Sequence, residues 1–336
     1  MTESELEDLL SQPTPLVIDT MARVEGDILI LGAGGKMGPS LARLAIRASH
    51  EAGRARRVIA AARFSEPGLA TRLAQSGVET IQCDLFDSTQ VARLPDVQNI
   101  IYMAGQKFGT TGDGDRTWAV NAYLPGVVAT RFPAARIVAF STGNVYPLWP
   151  ADSAGPTESD PTGPIGEYAQ SALARERVFE HFSRRNGTLT SLLRLNYAVE
   201  PRYGVVRDIA ERVRARAPVD LSMAKVNLIW QRDANAIALA ALSHASDPPL
   251  VLNVTGPAVP VRWIAEECGR HLNVAPEFSG AESGTALLSN PAESVRRFGP
   301  PPVDAGEMIA RVVTWMAQGG RSLNKPTHFE TRDGAF

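Results

Sequence analysis

The sequence is poor in cysteine and lacks long apolar runs, an excess of charge and metal-ligand spacing. Two cysteines, Cys83 and Cys268, are too few for a disulfide framework in 336 residues. No apolar stretch approaches the ~20 residues of a membrane-spanning helix. Acidic and basic residues nearly balance, 36 against 34, so no charge excess points to a nucleic acid or membrane partner. The histidines are scattered, and we predict no metal site.

The beginning of the chain also lacks the basic start and apolar centre of a signal peptide, so we expect a cytoplasmic protein. The pattern Ser4-x-x-Glu7 there predicts the capping box of a short extra helix. Lysine is scarce, because the basic residues are nearly all arginine. The lysines are Lys36, Lys107, Lys225 and Lys325.

What the chain does contain is a glycine-rich turn between an apolar run and an amphipathic helix. It begins at Gly32 and ends at Gly38, with Lys36 and Met37 before the last glycine. Bare backbone amides at a helix N-terminus form a site for a pyrophosphate. Met37 stands where a Walker loop needs Ser or Thr and where G-x-G-x-x-G needs its third glycine. The spacing that fits is G-x-x-G-x-x-G, with Gly35 in the middle, and it predicts dinucleotide binding.

Short apolar strands alternate with helical patterns along the first half of the chain. The strands are predicted at 26–31, 57–63, 78–83, 99–105, 136–141 and 189–195. This alternation indicates an α/β fold, a doubly wound parallel sheet of the Rossmann type covered on both faces. Ligands of such sheets lie beyond the carboxyl ends of the strands, where Gly32, Asp84, Gly105 and Thr142 fall.

Beyond residue 195 the alternation becomes irregular, which indicates a smaller C-terminal substrate-binding lobe. The predicted parts are an N-terminal extension at 1–20, a nucleotide-binding domain at 21–195 to which 226–252 returns, the substrate lobe at 196–225 and 253–320, and a tail at 321–336. The cleft between domain and lobe is the predicted active site. We expect the tail to be extended or to contact another subunit.

Two further segments indicate a family. Residues 140–146, Phe-Ser-Thr-Gly-Asn-Val-Tyr, leave the fifth strand, and Tyr168 follows near the start of a helix, 26 residues after Thr142. With the glycine turn and the pairs Asp84-Leu85, Ala104-Gly105 and Val120-Asn121, this resembles the extended short-chain dehydrogenase/reductase family, in its NAD(P)-dependent epimerase/dehydratase branch. The resemblance extends from about residue 27 to residue 315.

The resemblance implies a set of cofactor-binding positions. These are Gly32, Gly35, Gly38, Asp84, Leu85, Ala104, Gly105 and Asn121. In the family the glycines hold the pyrophosphate, the Asp-Leu pair meets the adenine, the Ala-Gly pair packs under the cofactor, and the asparagine braces the helix behind the site. Thr142 takes the position of the catalytic hydroxyl. Tyr168 takes that of the general acid/base for hydride transfer at a carbinol or carbonyl.

The family's Y-x-x-x-K pattern is incomplete, because Ala172 stands where the lysine belongs. That lysine lowers the pKa of the tyrosine, and a free tyrosine with a pKa of ~10 is only about one part in a thousand ionised at pH 7. Restoring a pKa near 7 takes roughly 3 units, or ~4 kcal/mol, from another cation. One candidate is Arg175, roughly 10 Å further along the helix. The other is Lys107, after the fourth strand, and we favour Lys107 as the third catalytic residue.

Two more departures concern ligands. NAD-preferring sites have an acid at the end of the second strand, whereas an arginine suits a 2′-phosphate. Here that strand ends at Arg63, with no acid until Glu66, which predicts NADP in preference to NAD. Residues 200–202, Glu-Pro-Arg, replace the Gly-Pro-Arg that is frequent in this branch, which argues against a nucleotide-sugar pocket.

The sequence therefore predicts an NAD(P)-dependent oxidoreductase or epimerase. Its substrate would be a secondary alcohol or carbonyl of a polar small molecule, such as a sugar or sugar acid, and we expect a homodimer. The alternative is a non-catalytic NAD(P)-binding sensor or scaffold protein. Ala172 favours the alternative, whereas the retained Thr142 and Tyr168 favour an enzyme.

Overall fold

The computed structural model describes residues 1–107 and 112–335. The strands are β1 (Ile28–Leu31), β2 (Val58–Ala62), β3 (Glu79–Gln82), β4 (Asn99–Tyr102), β5 (Arg136–Thr142), β6 (Trp149–Pro150), β7 (Thr190–Leu195), β8 (Ala198–Val199), β9 (Val219–Asp220), β10 (Lys225–Asn227), β11 (Ile229–Trp230), β12 (Leu250–Val254), β13 (Ala258–Pro260), β14 (Phe278–Ser279) and β15 (Thr285–Ala286).

The α-helices surround these strands. They are α1 (Glu3–Leu10), α2 (Pro15–Arg23), α3 (Gly38–Glu51), α4 (Leu69–Gln75), α5 (Ser88–Ala92), α6 (Gly114–Trp118), α7 (Leu124–Arg131), α8 (Gly166–Asn186), α9 (Val205–Arg214), α10 (Gln231–Ala240), α11 (Val261–Leu272), α12 (Ala292–Phe298) and α13 (Ala305–Ala317). A π-helical turn, Ala119–Tyr123, joins α6 to α7, and 3-10 turns lie at Gly143–Val145 and Ala241–His244.

A seven-stranded parallel sheet forms the centre, in the order β12-β7-β5-β4-β1-β2-β3. All four residues of β1 are buried, because a parallel sheet covered on both faces requires apolar side chains on both. The predicted fold class is confirmed. The strand order reverses beside β1, and the crevice at the carboxyl ends of β1 and β4 is where such sheets bind ligands.

Helices cover both faces of the sheet. On one face α2, α3 and α10 pack together, and their core includes Met21, Leu41 and Ile237. On the other face α5, α7 and α8 contribute to a second core, which includes Val128 and Phe179. The seventh strand, β12, pairs with β7 and follows α10, so the chain returns to the sheet after its excursion beyond β7.

A smaller lobe is built around α9, α11 and α13, whose apolar sides form a separate core. Helix α1 also belongs to this core through Leu6 and Leu10. The capping box of α1 is formed by Thr2 and Glu5, so the prediction of Ser4 and Glu7 was wrong by two residues. The Thr2 Oγ1 accepts the amide of Glu5 at 3.2 Å, and the Glu5 carboxylate accepts the amide of Thr2 at 2.7 Å.

Residues 1–107 and 112–335 contain no membrane-spanning helix, no metal-binding group and no disulfide. No helix there has the length and apolar character needed to cross a membrane. No three His, Cys, Asp or Glu side chains gather there as a metal-binding group. Cys83 and Cys268 are buried, free thiols.

Candidate active site

The glycine turn after β1 is shaped by two close approaches. Gly32 has φ +85°, and a Cβ there would lie 2.6 Å from the amide nitrogen of Ala104 at the end of β4. A Cβ on Gly38 would lie 2.4 Å from the carbonyl oxygen of Ala33. Gly35 differs, since a Cβ there would meet only the Gly32 oxygen, at 3.5 Å. Two glycines thus close the turn, while the space above the third is open to a ligand.

Two cavities flank this turn and share Gly32, Gly35 and Gly105 in their walls. The smaller, of about 240 Å³, lies over the ends of β2 and β3. Among its lining residues are the predicted positions Arg63, Asp84, Leu85 and Ala104. The larger, of about 380 Å³, is lined by the predicted Lys36, Met37, Gly38, Lys107, Thr142 and Tyr168. Together the cavities and the glycine turn between them fit a dinucleotide, with the pyrophosphate on the turn.

Asn121 lines neither cavity, but its hydrogen bonds connect segments that do. Its Nδ2 donates to the Gln106 carbonyl and to the Ser171 Oγ, both at 2.9 Å. Its Oδ1 accepts the Gln106 amide at 2.9 Å and the Nη2 of Arg175 at 2.6 Å. Asn121 therefore joins the segment after β4 to helix α8. Gly105 is required here, because a Cβ would lie 2.7 Å from that Nη2 of Arg175.

Helix α8 is held against the sheet by a buried carboxylate. The Glu176 carboxylate accepts the Nη2 of Arg194 on β7 at 2.8 Å and the Oγ of Ser141 on β5 at 2.6 Å. A buried charge pair of this kind is costly to break on one side, because the other charge loses its partner. The contact fixes α8, and with it Tyr168, relative to Thr142, the next residue on β5.

Thr142 and Tyr168 line the same cavity, and the Thr142 side chain lies near enough to Tyr168 to affect its pKa. The Thr142 hydroxyl also donates to the Asn144 Oδ1 at 3.0 Å and accepts the Asn144 amide at 3.2 Å. Burial raises the pKa of Tyr168 above its ordinary value, and the Thr142 hydroxyl and the positive charge of Arg175 oppose that rise. The site therefore contains a partly buried phenol beside a hydroxyl that Asn144 holds in place.

Lys107 also lies in this cavity. Its Nζ is 6.0 Å from the ring centre of Tyr168, 5.7 Å from that of Tyr197, and 3.3 Å from the carbonyl oxygen of Thr327, to which it donates. Burial lowers the pKa of Lys107 to about 8, against the effect of the Asp208 carboxylate. Its charge is thus largely present at neutral pH, close to the tyrosine.

Arg175 is a buried part of the same wall. Its Nη1 donates to the Phe140 carbonyl at 2.7 Å, so one side of the guanidinium is bound to the end of β5. Ala172, where the family has lysine, is fully buried against Val145 and Tyr146. That position contributes packing between α8 and the segment after β5, and it does not line the cavity.

The structure adds site residues that the sequence did not indicate. Asn144 holds Thr142, and Tyr203, Lys325 and Thr327 line the larger cavity. The last two come from the C-terminal tail, more than 120 residues from the rest of the site. The scarcity of lysine was the available signal, because it makes the position of each lysine informative.

Comparison with known proteins agrees with this geometry. The sequence model of the NAD dependent epimerase/dehydratase family matches residues 28–254. No curated protein matches the chain. Similar solved structures include UDP-glucose 4-epimerase of Thermotoga maritima with UDP-glucose, at 17% identity and TM-score 0.71, over 87% of this chain and 99% of that one.

Two further structures of similar fold contain NAD. UDP-glucuronic acid 4-epimerase of Bacillus cereus, in complex with NAD, is 16% identical with TM-score 0.73, over 87% of this chain and 99% of that one. WbmG of Bordetella bronchiseptica, also with NAD, is 18% identical with TM-score 0.72, over 93% and 97%. At these identities the similarity shows the fold.

Proposed function

The chain belongs to the NAD-dependent epimerase/dehydratase family, and we propose that it is an NAD(P)-dependent oxidoreductase or epimerase. The proposed substrate is a secondary alcohol or carbonyl of a polar small molecule, such as a sugar or sugar acid. The observation that supports this most is that Thr142 and Tyr168 line one cavity together with the glycine turn. The proposed cofactor-binding residues are Gly32, Gly35, Lys36, Met37, Gly38, Arg63, Asp84, Leu85, Ala104 and Gly105, which line the two cavities, together with Asn121.

Tyr168 is the proposed general acid/base. In reduction its phenol donates a proton to the carbonyl oxygen, and in oxidation its phenolate takes the proton from the hydroxyl. A bound nicotinamide would accept or return the hydride. Asn144 holds the Thr142 hydroxyl through one donated and one accepted hydrogen bond. Because a hydroxyl has a single proton, Thr142 orients the reacting oxygen by turning that proton from the Asn144 Oδ1 to the oxygen when substrate binds.

A sensor or scaffold protein would need the glycine turn but not two hydroxyl groups, those of Thr142 and Tyr168, in the wall of the same cavity. The Thr142–Tyr168 pair therefore favours an enzyme. The test is a screen of sugars and sugar acids, followed by the absorbance of the reduced nicotinamide with the wild-type protein and with a Tyr168→Phe variant. Turnover that depends on Tyr168 supports the proposal. Tight cofactor binding without turnover of any compound supports the sensor. The homodimer and the cytoplasmic location stay predictions from the sequence.

The pH dependence of oxidation should show that the family lysine is missing. Since the pKa of Tyr168 is raised, its reactive phenolate forms only at alkaline pH. We expect kcat/KM to rise about tenfold per pH unit from neutral pH, without a neutral plateau. We propose Lys107 as a second cation that stabilises the phenolate, with Arg175. Lys107→Met should then move the profile to still higher pH, measured as kcat/KM between about pH 6 and 10.

Lys225→Met is the matched control for Lys107→Met, since Lys225 lies in β10 outside the cavity. Its profile should equal that of the wild type. Because the pKa of Lys107 is about 8, its contribution should also fade above that pH and the wild-type slope should become shallower. Identical profiles for Lys107→Met and the wild type would exclude Lys107 from this role.

We also propose a preference for NADP. Arg63 is exposed at the rim of the smaller cavity, and the nearest acid along the chain, Glu66, is paired with Arg72. The end of β2 thus offers a cation for a 2′-phosphate, whereas the nearest acid along the chain is already engaged and is not available to a 2′-hydroxyl.

Calorimetric titration tests this preference. We expect NADP to bind more tightly than NAD, and Arg63→Ala to weaken NADP about tenfold or more, because a charge-assisted hydrogen bond is lost. NAD affinity should hardly change. Arg57→Ala is the control, since Arg57 precedes β2 at its opposite end. Tighter binding of NAD by the wild type, or an unchanged NADP affinity in Arg63→Ala, would contradict the proposal.

A further inference from the structure

The lysines of this chain are concentrated at one place. Lys36, Lys107 and Lys325 all line the larger cavity, and only Lys225 lies elsewhere. They come from three separate segments, the glycine turn, the segment after β4 and the C-terminal tail. We call Lys36, Lys107 and Lys325 the lysine cluster. Their convergence from distant parts of the sequence indicates a common electrostatic task.

The cavity offers these charges no carboxylate. Within the described parts of the chain, no Asp or Glu side chain lines the cavity. The acids just behind it are engaged. The Asp208 Oδ2 accepts the amide of Thr327 at 2.7 Å and its hydroxyl at 2.6 Å. Glu200 accepts the Nε of Arg202 at 3.1 Å with each of its oxygens. The described lining of the cavity therefore supplies ammonium groups and no carboxylate, while Asp208 and Glu200 act on the lysines from behind it.

Lys36 shows most clearly how burial and neighbouring charges act on a lysine of this cavity. Its backbone belongs to the glycine turn, but its side chain is directed towards the smaller lobe. The Nζ donates to the Ala198 carbonyl at 2.8 Å and lies 3.7 Å from the ring centre of Tyr203. Burial lowers its pKa to about 7, with Glu200 opposing and the charge of Lys107 adding to the decrease. A buried ammonium that is repelled by another cation becomes more stable when an anion binds beside it.

The C-terminal tail is held in place by specific contacts, which bring Lys325 to the rim of the cavity. The Leu323 amide donates to the Arg202 carbonyl at 3.0 Å. Phe329 is buried in the core of the smaller lobe. The Nη1 of Arg332 donates to the carbonyls of Ser222 and Thr285, both at 2.9 Å. These contacts lie on both sides of Lys325, so its position follows from the fold of the tail.

We propose that the cavity recognises an anionic group of the substrate, a carboxylate or a phosphate ester, and that the lysine cluster binds it. The inference rests on the proposed function, because it places the substrate in the cavity beside Tyr168. Side-chain ammonium groups bind either anion as point charges. The tail is thus part of the substrate site.

Lysine-selective isotope labelling tests this directly, because a chain with four lysines gives four side-chain signals. The protein is saturated with NADP and titrated with inorganic phosphate, with malonate and with glucose. We expect the signals of the lysine cluster to move with at least one of the two anions and to stay in place with glucose, while the Lys225 signal stays in place throughout. Phosphate and malonate distinguish the two anion classes. Equal movement of all four signals, or no movement with either anion, would overturn the proposal.

Substitutions separate this proposal from the proposed function. Lys36→Gln and Lys325→Gln should each weaken binding of the effective anion about tenfold. Lys325 lies at the rim of the cavity and outside the residues that the sequence predicts to bind the cofactor, so Lys325→Gln should leave NADP affinity within about twofold. Lys225→Gln is the control, with unchanged binding of both. The signals report anion binding without turnover, so an inactive protein that binds anions this way would refute the enzyme and support the site. If Lys36→Gln weakens NADP binding and leaves anion binding unchanged, Lys36 serves the cofactor and the proposal fails.

Discussion

Replacing Tyr168 by phenylalanine should reduce kcat about 10³-fold, while cofactor affinity stays at the wild-type value. The phenol is the group that transfers the proton, and general acid/base catalysis contributes about 10² to 10⁴ to the rate. The phenylalanine ring keeps the shape of the side chain, so the cavity should remain intact. Steady-state kinetics on a substrate from the screen, with calorimetric titration of the cofactor, measures both quantities.

Three variants provide controls for this result. Thr142→Ala should cost about 10²-fold in kcat, since it removes one orienting hydroxyl, and Thr142→Ser should restore most of the loss. Tyr123→Phe, at an exposed tyrosine that lines neither cavity, should be neutral. Full activity of Tyr168→Phe would show that another group transfers the proton, and the assignment would be wrong.

The second large effect concerns the glycine turn. Gly35→Val should weaken NAD(P) binding by at least about 100-fold without unfolding the protein. The structure leaves room for a Cβ at Gly35, whose nearest contact is the Gly32 oxygen at 3.5 Å, so the side chain would fill space meant for the pyrophosphate. Cofactor titration and the thermal unfolding midpoint measure the two effects separately.

Gly38 provides the contrast. A Cβ there would lie 2.4 Å from the Ala33 oxygen, so Gly38→Ala should lower the unfolding midpoint, whereas Gly35→Ala should not. A folded Gly35→Val protein that binds the cofactor as tightly as the wild type would show that the pyrophosphate lies elsewhere.

Much of the central sheet could be predicted because its strands are short, apolar and buried on both faces. The six predicted strands occur within a few residues of their predicted bounds. The return of 226–252 to the nucleotide-binding domain was predicted, but β12 (Leu250–Val254) was not predicted as the strand that makes it. The capping box was misplaced because Thr2-x-x-Glu5 and Ser4-x-x-Glu7 both fit the pattern, and tertiary packing of α1 decides between them.

Part of the candidate active site could be predicted from the sequence for a different reason. Thr142 and Tyr168 each lie at a position fixed by a strand end or a helix start, and local pattern reveals such positions. The partners that set their chemistry come from elsewhere. Asn144 has no pattern of its own, and the tail residues Lys325 and Thr327 reach the cavity through contacts such as that of Thr327 with Asp208, which only the folded chain shows.

A crystal structure with NADP or NAD bound is the most direct test of the central claim, because it needs no knowledge of the substrate. We expect the pyrophosphate to bind the amides around Gly35 and the adenine to lie beside Asp84. The nicotinamide should lie in the larger cavity with its reactive carbon facing the Tyr168 hydroxyl. A dinucleotide bound with its nicotinamide directed away from Tyr168, or bound outside the two cavities, would contradict it.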